Sequence, residues 1–115
     1  MTTTIINSIK EICNPFNLCD LSAYTLKLNA LNELLDNFLT EHLTESERCR
    51  RDCVIIVISE LDTIQMCIEH RFDTILICWD KLKSMIPYFE IILNGDDTWE
   101  TEYNAYCEMD KIFYK

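Results

Sequence analysis

The chain has 115 residues, twenty acidic against ten basic, a formal net charge of −10, 49% hydrophobic residues, seven cysteines, two histidines and one glycine. That length makes a single domain, residues 1–115, which should bury roughly 65% of the surface its unfolded form exposes and so build its own core. The lone glycine, Gly95, excludes phosphate-cradling loops and dinucleotide fingerprints, and the negative excess opposes phosphate backbones and anionic membranes, so neither direct nucleic-acid contact nor a membrane partner is expected.

Apolar spacing predicts the elements in order. Ile5, Ile9 and Ile12 predict a short N-terminal helix ending near Asn14-Pro15. Tyr24, Leu28, Leu31, Leu35, Phe38 and His42 follow in steps of four and three, which holds them on one helical stripe that Leu21, Leu34 and Leu39 widen. Asp20 or Ser22 supplies the N-cap. Thr44-Glu45-Ser46-Glu47 matches the capping box, so the next helix is expected to start there and to carry Val54, Val57, Leu61, Ile64, Ile68 and Phe72. A further helix, capped by Asp73 or Thr74, carries Ile75, Trp79, Leu82, Ile86, Phe89 and Leu93 and stops at Asn94-Gly95. The last runs from about Asp97 with Trp99, Tyr103, Tyr106 and Phe113 on one stripe.

Pro87 interrupts the helix that ends at Asn94: it removes a hydrogen bond and crowds the Lys83 carbonyl, so a kink at Lys83-Ser84 or a fresh start at Ser84 is expected. Runs such as Val54-Ile55-Ile56-Val57-Ile58 are rich in strand formers. Helical spacing nevertheless passes straight through them, and residues 59–73 carry no turn chemistry. The predicted fold class is all-α, an antiparallel helical bundle of four main helices plus the short N-terminal one.

The opening Met1-Thr2-Thr3-Thr4-Ile5-Ile6 has no basic n-region and Lys10-Glu11 interrupts it, so it does not read as a signal peptide. The longest strongly apolar run, Cys53 to Ile58, falls far short of the ~18 residues that suggest a membrane span. An odd number of irregularly spaced cysteines reads as reduced thiols in a cytoplasmic protein.

The cysteines raise the question of a metal. Cys49, Cys53 and Cys67 share one side of the helix after Thr44 with Ile56, Glu60 and Thr63, but fourteen residues of helix separate Cys53 from Cys67 by about 21 Å, far beyond the reach of one ion. The sequence contains no Cys-x-x-Cys and no Glu-x-x-His pair, so no metal and no cofactor is expected, and the thiols read as small core residues. Cys49 and Cys53, one turn apart, would strain that turn if bridged. Arg48, Arg50 and Arg51 are the only concentrated positive charge, a solvated first turn or a docking point for an acidic segment. His42 and His70 are expected to cap helix carbonyls. Each follows a glutamate, but neighbours on a helix do not face each other, and no catalytic array is apparent.

Surface apolarity carries the functional expectation. The helix after Thr44 is apolar around more than half its circumference, with Ile55, Ile56 and Met66 off the principal stripe. Such a helix is central or covered by a second chain, which points to a symmetric homodimer. Trp99, Tyr103 and Tyr106, beside Glu100 and Glu102 in the most acidic stretch for its length, either complete the core or offer hot-spot residues to a protein partner with a basic surface. The expectation is a small acidic non-catalytic protein-interaction module, a regulator, adaptor or inhibitor rather than an enzyme. The alternative is a thiol-based metal-binding or redox protein.

Overall fold

Among the residues described by the computed structural model, 2–14, 19–44, 47–70, 74–95 and 98–114, every regular element is helical. They are α1 (Thr2–Ile12), α2 (Leu21–Glu41), α3 (Arg48–His70), α4 (Ile75–Asn94) and α5 (Trp99–Phe113). The expectations placed on Pro15, Glu45, Ser46, Phe72, Asp73 and Asp97 lie outside these residues. Short connections make successive helices antiparallel, and the packing falls into three layers: α1 with α2, α3 with α4, and α5 alone. α1 touches α2 and α4, α2 touches α3, and α5 lies across both central helices.

The apolar stripes fill the space between the layers. Ile5, Ile6, Ile9 and Ile12 of α1, Tyr24, Leu28, Leu31 and Leu35 of α2, Val54, Val57, Leu61 and Ile64 of α3, and Trp79, Leu82, Phe89 and Ile92 of α4 are all buried. Tyr24 and Trp79 meet edge to face with ring centroids 6.3 Å apart. No described helix is long and apolar enough to cross a membrane.

Helix ends follow local chemistry. Asp20 caps α2 by accepting from the Ala23 N–H, and Gly95 ends α4 in the left-handed region at φ 65°, where a side chain would be strained. The Glu47 carboxylate accepts from the Thr44 N–H at 3.3 Å, the returning half of the capping box, but α3 itself begins at Arg48 rather than at Thr44. α5 begins at Trp99, with the Thr98 hydroxyl accepting from the Thr101 N–H.

Several expectations need correction. Of the two outcomes expected at Pro87, the fresh start is excluded: α4 is one helix from Ile75 to Asn94, and the Ser84 hydroxyl donates back to the Asp80 carbonyl instead of capping a new helix. His42 is exposed and stacks on Phe38 without filling the core stripe, and Leu21 likewise faces solvent. His70 lies on the surface beside Glu69, its Nε2 3.9 Å from Oε2. The cation at the end of α2 is Arg51, which donates to the Leu39 and Leu43 carbonyls. Ile56 is only 8% exposed, on the side of α3 that also carries the buried Cys53 and Glu60; it belongs to the core and needs no second chain. The buried set of α5 is Ala105 and Met109, with Tyr106, Ile112 and Phe113 packed against the core and Trp99 and Tyr103 outside it.

Candidate functional site

α3 and α5 pack on each other and on α4, and Arg50 near the start of α3 meets Gly95 at the end of α4 and Glu102 near the start of α5, so the N-terminal turns of α3 and α5 share one end of the bundle. Glu100 and Glu102 in the first turn of α5 favour the positive end of its dipole. Spacing of four then places Trp99 over Tyr103, and their rings stack 5.4 Å apart at 15°; Tyr103 continues to Tyr106 at 6.4 Å. Trp99 is 70% exposed, in contrast to the buried Trp79. A cleft of about 350 Å³ opens beside it, lined by Glu47, Arg48, Cys49, Arg50, Trp99 and Glu102.

The arginine cluster explains how this end is held. At the start of α3 its charge opposes the helix dipole, yet Arg50 and Arg51 turn toward the C-terminal ends of the neighbouring helices, where a cation is favourable. Arg50 donates to the Gly95 carbonyl at 3.2 Å, to Glu102 at 2.6 Å and to Glu47 at 2.9 Å, tying α3, α4 and α5 together. The Thr44 N–H and the Arg50 guanidinium hold the Glu47 carboxyl below its ordinary range. Arg48, exposed on the cleft rim, has no ion pair among the described residues.

The residues expected to meet a partner therefore separate. Trp99, Tyr103 and Glu100 are exposed on the first turns of α5, and Tyr106 is half-buried at the seam with α3. Ile55, 45% exposed, shares a shallow recess with Arg48, Arg51 and Asp52, and Asp52 is near enough to Tyr106 to help burial raise its phenol. Glu102 differs from these in being mostly buried and ion-paired with Arg50, so it braces the fold while lining the cleft. Met66, 62% exposed, lies eleven residues beyond Ile55, about 16 Å along the helix and away from the aromatic end.

A second cluster was not legible as such. All seven cysteines are free. Cys13, Cys53 and Cys78 are buried and Cys49, Cys67 and Cys107 half-buried, whereas Cys19 is exposed, against its expected place in the core. Burial pushes the Cys13 thiol up to about 11. Cys67 of α3 meets Cys78 of α4 at 3.9 Å between sulfurs, and the Thr74 hydroxyl donates to Cys67 at 3.0 Å. Glu60, only 3% exposed, lies against Cys78, and burial raises its carboxyl above the ordinary value while Lys81 opposes the shift. Reading α3 alone placed Cys67 and Glu60 on one side, but the partner thiol comes from the next helix. Among the described residues no group of three or more His, Cys, Asp or Glu is arranged to hold a metal ion.

No family model matches this chain, and no curated protein and no solved structure is similar enough to it to count as a match.

Proposed function

We propose that the protein is a non-catalytic interaction module that docks a basic segment of another protein on the first turns of α5. One observation carries this reading: Trp99 is largely exposed and stacked on Tyr103, although the fold has a core able to bury a tryptophan, as it buries Trp79. Stacking pre-orders the two rings and lowers the entropy lost on binding, and Trp and Tyr are frequent hot-spot residues. Glu100 on the same turn and the net charge of −10 supply the attraction for a basic partner. A chain with seven free thiols suits a reducing cytoplasm.

The test is the Trp99→Ala/Tyr103→Ala double variant, compared with the parent for binding to a partner recovered by cross-linking at this face. Affinity should fall at least about tenfold, a loss of roughly 1.4 kcal/mol, and parental binding should weaken as salt rises. Unchanged affinity in the double variant would sink the reading.

A second reading, a homodimer through the outer side of α3, keeps support from the exposure of Ile55 and Met66 but not from Ile56. Sedimentation of the parent and of Ile55→Lys/Met66→Lys separates the two. Self-association abolished by the lysines, with Trp99 unaffected, favours the dimer.

A further inference from the structure

The α3–α4 hairpin places two thiols in register across its turn. Cys67 stands three residues before the end of α3 at His70, and Cys78 stands three residues after the start of α4 at Ile75. In an antiparallel pair such mirrored positions face each other, and the two sulfurs lie 3.9 Å apart. A disulfide needs about 2.05 Å, so roughly 2 Å of side-chain closure separates the reduced pair from a bond. The surroundings of the two thiols differ. Cys67 is half-buried, so an oxidant reaches its sulfur more readily than that of Cys78, and it accepts a hydrogen bond from the Thr74 hydroxyl at 3.0 Å. Cys78 is buried and hydrogen-bonded to the Glu60 carboxyl, which is itself sequestered from solvent.

We propose that Cys67 and Cys78 are a hydroperoxide-modified pair that closes to a reversible disulfide, with Cys67 the attacking thiol, Cys78 the resolving thiol and Glu60 the base. This is independent of the docking reading. The Cys67 thiolate attacks one oxygen of hydrogen peroxide; the S–O bond forms, the O–O bond breaks, and the departing hydroxide takes the proton that Cys67 released and leaves as water. Sulfur loses two electrons and the peroxide gains them, giving a sulfenic acid. Cys78 sulfur then attacks Cys67 sulfur. Its proton passes to the Glu60 carboxylate as the S–S bond forms and the S–O bond breaks, and the expelled hydroxide collects that proton as a second water. Two thiols and one peroxide become one disulfide and two waters.

Burial holds the resting Cys78 thiol up at about 12, so without a base beside it this step would be slow. The carboxyl of Glu60, raised by the same burial, is better matched to accept the proton than an exposed carboxylate.

The test uses the full chain, reduced and then treated with one equivalent of hydrogen peroxide. Trypsin cuts between the two cysteines at Arg71, so a non-reducing digest should give a Cys67–Cys78 cross-linked pair two hydrogens lighter than the free peptides, restored by dithiothreitol. In Cys78→Ser the sulfenic acid should persist on Cys67 and be trapped by dimedone. Glu60→Gln should leave sulfenic acid formation unchanged and slow disulfide closure about 100-fold, the low end for a lost general base. Far-UV circular dichroism of each variant confirms that the helices are intact. Dimedone on Cys19 or another thiol with Cys67 and Cys78 still reduced would overturn the pair, and closure at the parental rate in Glu60→Gln would overturn the role of Glu60.

Discussion

Tyr24 joins three helices through one oxygen. Its hydroxyl accepts from Trp79 Nε1 at 2.8 Å and donates to the Ile12 carbonyl at 3.1 Å, connecting α2 to α4 and to the end of α1. The residues are buried, so Tyr24→Phe takes from the indole N–H and from the Ile12 carbonyl the hydroxyl they share and should cost about 2 kcal/mol in urea unfolding; a loss below about 0.5 kcal/mol would show that the network does not stabilise the fold. At Gly95 the left-handed backbone and a neighbour act together, since a Cβ there would lie 2.7 Å from Arg50 Nη2. Arg50 is a flexible side chain, but moving it breaks its bonds to Gly95 and Glu102. Gly95→Ala should therefore cost about 2 kcal/mol in the parent and only the backbone strain, about 1 kcal/mol, in Arg50→Met. Equal costs in both backgrounds would show that Arg50 yields freely. Asp20, Gly95 and the Thr44–Glu47 contact were legible because each acts within its own turn, whereas the partners of Tyr24 and Arg50 come from other helices and leave no trace in local spacing.

Among the helices, α4 raises the sharpest question. Pro87 is its thirteenth residue, exposed, and deprives the Lys83 carbonyl of its usual donor, yet the helix continues to Asn94. Packing on both sides, against α3 and α5 and against α1, holds α4 together across the defect. Because Pro87 faces solvent, Pro87→Ala changes little packing and restores the bond, so it should stabilise the protein by about 1–3 kcal/mol. A melting temperature at or below the parental one would mean that the neighbours depend on the helix shape the proline imposes. α2, α3 and α4 were readable from spacing because their stripes are long. α5 was read less well: its aromatic residues formed the obvious stripe, but the buried contact is made by Ala105 and Met109, and a small alanine gives little signal beside a tryptophan. α3 packs against α2, α4 and α5, and that enclosure, invisible in α3 alone, puts Ile56 in the core.

At the scale of the whole molecule, burial at one carboxyl and hydrogen bonding at another set opposite responses to pH. Two carboxyls depart from ordinary behaviour in opposite directions. Glu60 is raised by burial, so its ionised form is less stable in the fold than in the unfolded chain. Its contribution is unfavourable at neutral pH and is relieved as pH falls through its folded value. Glu47 is lowered by the Thr44 N–H and Arg50; its contribution is present above the unfolded value and lost only as pH falls through the lower folded one. The net charge of −10 adds self-repulsion that also weakens as carboxylates gain protons. Melting temperature should therefore rise as pH is lowered from 8 until Glu60 is protonated, and the Glu47 contribution opposes that rise only in the more acidic range where Glu47 is neutralised. Glu60→Gln removes the buried ionisation, so at pH 7 it should be as stable as the parent or more so, and its melting temperature should rise less on acidification. Added salt reduces the part of the rise due to net charge and leaves the part due to Glu60, which is buried from screening ions. If Glu60→Gln kept the full parental slope at high salt, Glu60 would titrate as an ordinary surface carboxylate, and the buried acid beside Cys78 would have no energetic consequence for the fold.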